Sequence, residues 1–255
     1  MPASTDPLGA LAADPTVAAA VLAARGEVDA LLWRRDVRAA AAEVAAASVE
    51  RGARDSAAID GADLVTADES PMGRVLDAAL RLTAEVPGQV DVFATAPLQA
   101  LAHLNAVVAH GFLPAEERGR PRPSDVADDP LHLGPLPPAE AAAERLAALA
   151  RVLTMPTEAP ALVVAAIAHA EIAAVRPFAW GSGLLARASV RLVLAGRGVD
   201  PSLFSIPEHG MLELGRPAYV AALRDYASGT PAGVTSFIVW QATAVALGAR
   251  AVVVP

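Results

Sequence analysis
The sequence predicts an all-α fold. Its 54% hydrophobic content rests mainly on alanine, the strongest helix former, while the aromatic residues that strands favour supply only 4%. Apolar segments of helical length are separated by stops marked with proline and glycine. After a proline-marked start, Val17 to Leu64 reads as a helix, a break at Gly26, and a longer helix ending near Gly61. Thr66 to Pro87 offers an acidic first turn, then an apolar repeat at Val75, Leu76, Ala79 and Leu80, closed by Pro87 and Gly88. Pro97 to Pro114 gives another helix, with Gly111 and Pro114 as stop signals. Pro114 to Pro138 is loaded with proline, glycine and charge, too irregular for a helix and too long for a routine connector, and long ordered loops of this kind tend to carry function. Helices follow over Ala139 to Leu153, Ala161 to Val175 and Leu184 to Gly196; Gly198 to Gly210 reads as a turn-rich connector, and Pro217 to Gly229 and Thr235 to Ala251 complete the plan.

Composition excludes several chemistries. The 255 residues carry a formal charge of −8 and no basic stripe, so the long-range field repels nucleic acid. Cysteine is absent, which removes disulfides, thiolate zinc sites and thiol nucleophiles. Lysine is absent too, so all 20 basic side chains are arginines, and a P-loop lysine, a Schiff-base lysine and a lysine general base are excluded. The acidic, proline-bearing start does not read as a signal peptide, and a cytoplasmic location is the expectation. Leu162 to Trp180 and Phe237 to Pro255 are very apolar. The first contains His169, Glu171, Arg176 and Pro177 and the second Gln241 and Arg250, so both fit buried core helices better than membrane spans.

The stretch with the most chemistry is AVRPFAWGSGLLAR, Ala174 to Arg187. Pro177, Gly181 and Gly183 place a loop between two apolar helices, and the second must begin close to Ser182 to Leu184. Free N–H groups and the positive end of the helix dipole make such a start an anion site, and Arg187, one turn inside, can reach back to the same anion. The alternative is a plain turn between two core helices with Arg187 in solvent. Spacing alone favours the turn, because a G-x-G is weakly specific.

The same frame resembles the core motif of the Fic (Fido) family, H-P-F-x-[D/E]-G-N-G-R-x-x-R, in which Pro177, Phe178, Gly181, Gly183 and Arg187 match. The upstream AAIAHAEIAAV is similar to the helix that precedes that motif. Gly119 to Arg122, with Val126 and Pro137-Pro138, resembles the family's flap region, and AYVAALRDYASGTPAGVTSFIVW its downstream helices. SAAIDGADL, Ser56 to Leu64, resembles the inhibitory segment found ahead of the core in one class of these proteins. The likeness spans about Ser56 to Leu247. It implies the Fic helical fold with a small β-hairpin-like flap, an N-terminal helical region over residues 1–90 and a Fic-like core over 91–255.

The family's chemistry, as the resemblance implies it, is transfer of AMP from ATP to protein hydroxyls. A histidine acts as base, a carboxylate holds magnesium, the G-N-G nest and first arginine hold phosphates, and the last arginine binds phosphate or pairs with the inhibitory carboxylate. Arg176 stands at the histidine position and, always protonated, cannot be a base. Trp180 stands at the carboxylate position and offers no hard oxygen, so magnesium is in doubt and no metal is assigned. Leu184 removes one phosphate clamp, while Gly181, Ser182, Gly183 and Arg187 keep an anion- or nucleotide-binding nest, with Trp180 placed to stack on a base. Ser56, Asp60 and Gly61 form the inhibitory-like latch. Ser56 and Asp60 lie one helical turn apart, and Asp60 is the natural partner of Arg187.

The function expected from the resemblance is therefore that of a Fic-like pseudoenzyme related to adenylyltransferases, with ATP or another phosphorylated ligand in the nest or a protein partner of unknown identity. The alternative is an active nucleotidyl or phosphoryl transferase with non-histidine chemistry, in which Arg176 stabilises a phosphoryl group. Neither nucleic acid nor a membrane is expected as partner, and a homo-oligomer stays open. His169, two turns before Arg176, is expected to be a packed core histidine; His103, His110, His132 and His209 form no metal pattern. Glu208-His209 beside Gly210 reads as turn chemistry, and Trp33 and Trp240 as core or pocket lining.

Overall fold
The computed structural model describes residues 6–63 and 66–255, and within them the chain forms helices joined by turns and one long irregular segment. Leu64, the last residue of the inhibitory-like segment, lies outside the described residues. The helices are α1 (Pro7–Ala12), α2 (Pro15–Trp33), α3 (Arg35–Ala39), α4 (Ala41–Ile59), α5 (Pro71–Thr95) and α6 (Pro97–Val108), followed by α7 (Ala139–Thr154), α8 (Ala161–Val175), α9 (Ser182–Gly196), α10 (Pro207–Leu214), α11 (Arg216–Ala227) and α12 (Pro231–Arg250). Many start in the same way. Asp6, Asp14, Ser70 and Thr230 accept N–H bonds from the first turns of α1, α2, α5 and α12, and a proline stands at the first helical position of each.

The centre is the pair α8 and α9. Both are buried along nearly their whole length. Around them, α5, α4 and α6 pack on α9, while α12, α7 and α11 pack on α8, and α2 lies against α12. Buried apolar side chains from Leu8 to Val252 join in one continuous core, so the layers share a single hydrophobic interior. The expected boundary at residue 90/91 falls inside α5, and the core crosses it without interruption. α12 is long and apolar enough to cross a membrane, and 56% of its most apolar window is buried against the neighbouring helices.

Packing overrides local propensity in three places. α2 runs through Gly26 because Val17, Val21, Ala24, Val28 and Leu31 form one buried face, and Gly26 points to open space. The break comes later, at Arg34 and Ala40. α5 runs through Pro87, which is exposed between buried Val86 and Phe93, so the lost N–H bond falls on the solvent side, where helices bend most readily. Pro207 opens α10 within the segment expected to be only a connector, and places Glu208 in a first turn rather than an isolated one.

The hairpin-like flap is not formed. Pro114 to Pro138 carries no strand among the described residues, and the one isolated bridge, between His110 and Leu113, lies just before it. Its prolines remove ladder donors, and the N–H groups of Arg122 and Asp128 donate instead to the loop between α8 and α9. We call this segment the strap.

Two glycines test the balance between propensity and packing. Gly26→Ala is expected to raise unfolding free energy by about 0.5–1 kcal/mol, because the helix interior gains a Cβ at no steric cost. Gly248→Ala would place a Cβ 2.1 Å from the Ile206 carbonyl oxygen, and is expected to lower it by about 1–3 kcal/mol or more. Urea melts of the two variants beside the parent check these opposite signs.

Candidate functional site
The loop between α8 and α9 is built by unusual backbone angles. Arg176 ends α8 in the left-handed region, with φ of 46°, and Gly181 starts α9 with φ of 82°. A side chain at Gly181 would also strike Val108 of α6 at 2.9 Å, so this position needs glycine for both angle and space. Ser182 closes the turn on itself: its hydroxyl accepts from Phe178 N–H and donates to Phe178 O, each at 3.2 Å. Phe178 and Leu184 are both buried in the core.

Arg187 points inward from the second turn of α9 to the end of α4. Its Nη2 lies 2.6 Å from Asp60 Oδ2 and its Nε donates to Ser56 Oγ at 2.7 Å. Arg187 is fully buried and the Asp60 side chain only 7% exposed. Burial works against the arginine's charge, but Asp60 and the Tyr219 hydroxyl outweigh it and raise the pKa further. The pair rests against Gly183, whose absent Cβ would lie 3.4 Å from Arg187 Nη1. Among the described residues, Asp60 Oδ1 and Arg187 Nη1 have no hydrogen-bond partner. Behind the pair, Tyr219 is bonded to His169 Nε2 at 2.6 Å, and His169 Nδ1 to Gln241. Burial drives His169 down to about 3, and both its ring nitrogens are already bonded, as befits a packed core histidine. Burial likewise pushes Tyr219 up to about 12.

The strap lies over the other side of the loop. Arg122 N–H donates to Pro177 O at 2.8 Å and Asp128 N–H to Ala179 O at 3.0 Å. The Arg122 guanidinium donates to the carbonyls of Arg176, Ser124 and Pro137. Arg176 turns into the strap: Nη1 is 2.8 Å from Asp129 Oδ2, and Nη2 donates to Gly134 O at 2.7 Å and to Pro135 O at 3.2 Å. Arg216 and Arg224 of α11 bind the carbonyls of Pro130 and His132. Asp128 Oδ1 accepts the Gly181 N–H at 3.2 Å, so a carboxyl of the chain itself takes the N–H at the start of α9. Burial, then the nearby Asp60, pushes that carboxyl up to about 7, against the pull of the Gly181 N–H.

Trp180 is half-buried and stacks on Phe112, ring centres 3.6 Å apart and nearly parallel, with the Arg74 guanidinium 4.9 Å from the Phe112 ring. Asn105 of α6, fully buried, donates to Trp180 O at 3.0 Å and accepts from Gly119 N–H at 2.9 Å, tying loop and strap together. Gly61, with φ of 98°, turns the chain after Asp60. The structure thus brings Ser56, Asp60, Gly183 and Arg187 together on one side of the loop and Arg176, Gly181, Asp128 and Asp129 on the other. No group of three or more metal-binding side chains occurs among the described residues.

Sequence reasoning missed Asn105, Asp128 and Asp129, and misjudged Glu208. Glu208 is not turn chemistry: its carboxylate takes Arg191 Nε at 2.8 Å in a buried pair completed by Ser48. Trp240 lines the core as expected, stacked on Tyr219, whereas Trp33 is 74% exposed.

No family model matches the chain, and no curated protein matches it. Solved structures do. A Fic family protein from Desulfovibrio desulfuricans G20 shares 20% identity, with a TM-score of 0.76 over 92% of this chain and 73% of that one. Fic-1 from C. elegans shares 16% identity, with a TM-score of 0.67 over 92% of this chain and 71% of that one. The chain therefore has the all-α fold of Fic family proteins.

Two predictions follow from the charges. Asp60→Asn leaves the Arg187 guanidinium buried without its counter-ion and is expected to lower stability by about 3–5 kcal/mol, part of which returns in the double variant Asp60→Asn, Arg187→Gln. A double-mutant cycle in urea measures the coupling. Asp128 has a folded pKa of about 7 against an ordinary 3.8, so its contact is fully favourable below pH ~4. As pH rises to 7 the unfolded chain releases this proton and the folded one keeps it, and stability falls across that window. Asp128→Asn is expected to match the parent near pH 4 and exceed it by a few kcal/mol at pH 8, which urea melts over this range check.

Proposed function
We propose that this chain is a Fic-like pseudoenzyme: a scaffold related to protein adenylyltransferases that recognises a phosphorylated ligand or a protein partner without transferring AMP. The observation that carries this reading is the placement of Arg176. At the position where the resemblance puts the base, its guanidinium is engaged by Asp129 and by the carbonyls of Gly134 and Pro135, and it has no lone pair with which to take a proton. The same engagement speaks against Arg176 as a stabiliser of a phosphoryl group, because both its Nη groups are turned to the strap.

Two further features support the reading. Trp180 is held by Phe112 through stacking, and an indole has no oxygen to give a metal ion. The magnesium and ATP implied by the resemblance therefore find neither a carboxylate at Trp180 nor a free first N–H at Gly181. The N-terminal region is read as part of the same device, with Ser56, Asp60 and Gly61 acting as a latch on Arg187 and the 91–255 segment as the core. A phosphate reaches the nest only after Asp128 has left Gly181.

Incubation with labelled ATP, magnesium or manganese and cell lysate is expected to leave every protein unlabelled; label transferred by the unaltered chain overturns the proposal. Calorimetry with ATP and with inorganic phosphate tests the nest. Asp128→Ala, which frees the Gly181 N–H, is expected to bind about tenfold tighter than the parent. Equal affinity would show that the nest holds no anion and leave a protein partner as the ligand.

A further inference from the structure
Between the N-terminal helices and the start of α8 lies a cavity of about 470 Å³, within the range of small-molecule sites and far from the α8–α9 loop. Its walls are Val17, Val21 and Leu22 of α2, Leu162 and Val163 of α8, and Val199 beyond α9. A second cavity of about 350 Å³ opens on the far side of Arg197, between the ends of α5, α7 and α9. Arg197 lines both cavities.

The charges in these walls have one sign. The only charged side chains lining either cavity are Arg25 and Arg197, in a chain whose net charge is −8. Arg25 already pairs with Asp29 at 2.8 Å. Among the described residues the Arg197 guanidinium has no carboxylate partner, and its one hydrogen bond is a long one, 3.4 Å, to Leu153 O. A forked cation held at the rim of an apolar cavity, with no acid to neutralise it, is complementary to an apolar body that ends in a single anionic group. Leu22 extends the apolar wall outward, its side chain 75% exposed at the rim.

We propose that the cavity between α2 and α8 is a binding site for a medium-chain alkyl carboxylate, its hydrocarbon chain against the valine and leucine walls and its carboxylate on Arg197. The site is independent of the motif loop, and its test does not depend on nucleotide chemistry. A neutral apolar ligand gains nothing from the Arg197 guanidinium, and a small hydrophilic anion gains nothing from the apolar walls, so neither uses both halves of the site.

Calorimetric titration of the whole chain with sodium acetate, hexanoate and octanoate, and with octanol, reads this directly. Affinity is expected to rise about fourfold per added methylene along the carboxylates, and octanol is expected to bind more weakly than octanoate. Arg197→Gln, an exposed change, should weaken octanoate about tenfold or more, and Ala18→Phe, on an exposed lining position of α2, should abolish binding by filling the cavity. Thermal melts matching the parent establish that both variants are folded. No binding of octanoate, equal binding of acetate and octanoate, or octanoate binding untouched by both substitutions would each overturn the proposal.

Discussion
The buried pair between Asp60 and Arg187 sets how the end of α4 sits on α9. Ser48, Gly52, Ser56 and Asp60 recur every four residues on α4, and Arg187 and Arg191 lie four apart on α9, so two helix faces meet in register. Gly52 makes this approach possible, since a Cβ there would lie 2.3 Å from Arg191 Nη2. Taking two guanidinium groups out of water is unfavourable unless each finds acceptors. Here Ser56 and Asp60 serve one, and Ser48 and Glu208 the other. Alanine-rich helix faces have little relief and specify register weakly, because sliding one small side chain past another changes packing little. The arginine rows supply what the alanines lack: a shift by one turn would leave a buried charge unpaired.

The strap depends on the same chemistry applied to backbone. A segment without strands or helices presents carbonyls that no ladder satisfies, and those near the core need donors from elsewhere. Arg122, Arg176, Arg216 and Arg224 provide them, each reaching a strap carbonyl or, for Arg122, also the carbonyl of Arg176. A lysine presents a point charge with three donors, whereas a guanidinium spreads five donors over a plane and can bridge two or three carbonyls at once. The exclusive use of arginine thus matches an irregular segment fixed by side-chain donors.

Much of the helical plan was legible because its boundaries are written in proline, aspartate, serine and threonine, residues whose capping role is local. The motif loop was legible for the same reason: Pro177, Gly181 and Gly183 meet conformational needs within a few residues of themselves. Gly26 and Pro87 misled because their penalties are small or fall on the solvent side, while the buried faces of α2 and α5 decide the matter. Asp128 was hidden for a different reason. In VADDP it reads as one of several solvated acids, and only the fold brings it 53 residues onward to Gly181. Asn105 reaches Trp180 across 75 residues, a contact that no periodicity within α6 announces. Local signals gave the frame of the site, and the side chains that fill it were set by contacts between distant segments.

Those side chains explain why the site is self-contained. A helix start with exposed N–H groups, and a buried arginine beside it, both call for negative charge. In this chain the acids are internal: Asp60 is the carboxylate on Arg187, and the Asp128 carboxyl, which burial favours in its protonated form, takes the Gly181 N–H. The third cation, Arg176, is matched by a third carboxylate, Asp129. Each guanidinium therefore has its own carboxylate, and an incoming phosphate must displace the Asp128 carboxyl from Gly181 rather than meet an open donor. Changing Arg176 to histidine alone would supply a group able to accept a proton, yet it would release Asp129 from its ion pair and leave Asp128 on the nest. Trp180 and Leu184 carry no charge, so the closed arrangement rests on Arg176 and Arg187 and on the acids that hold them.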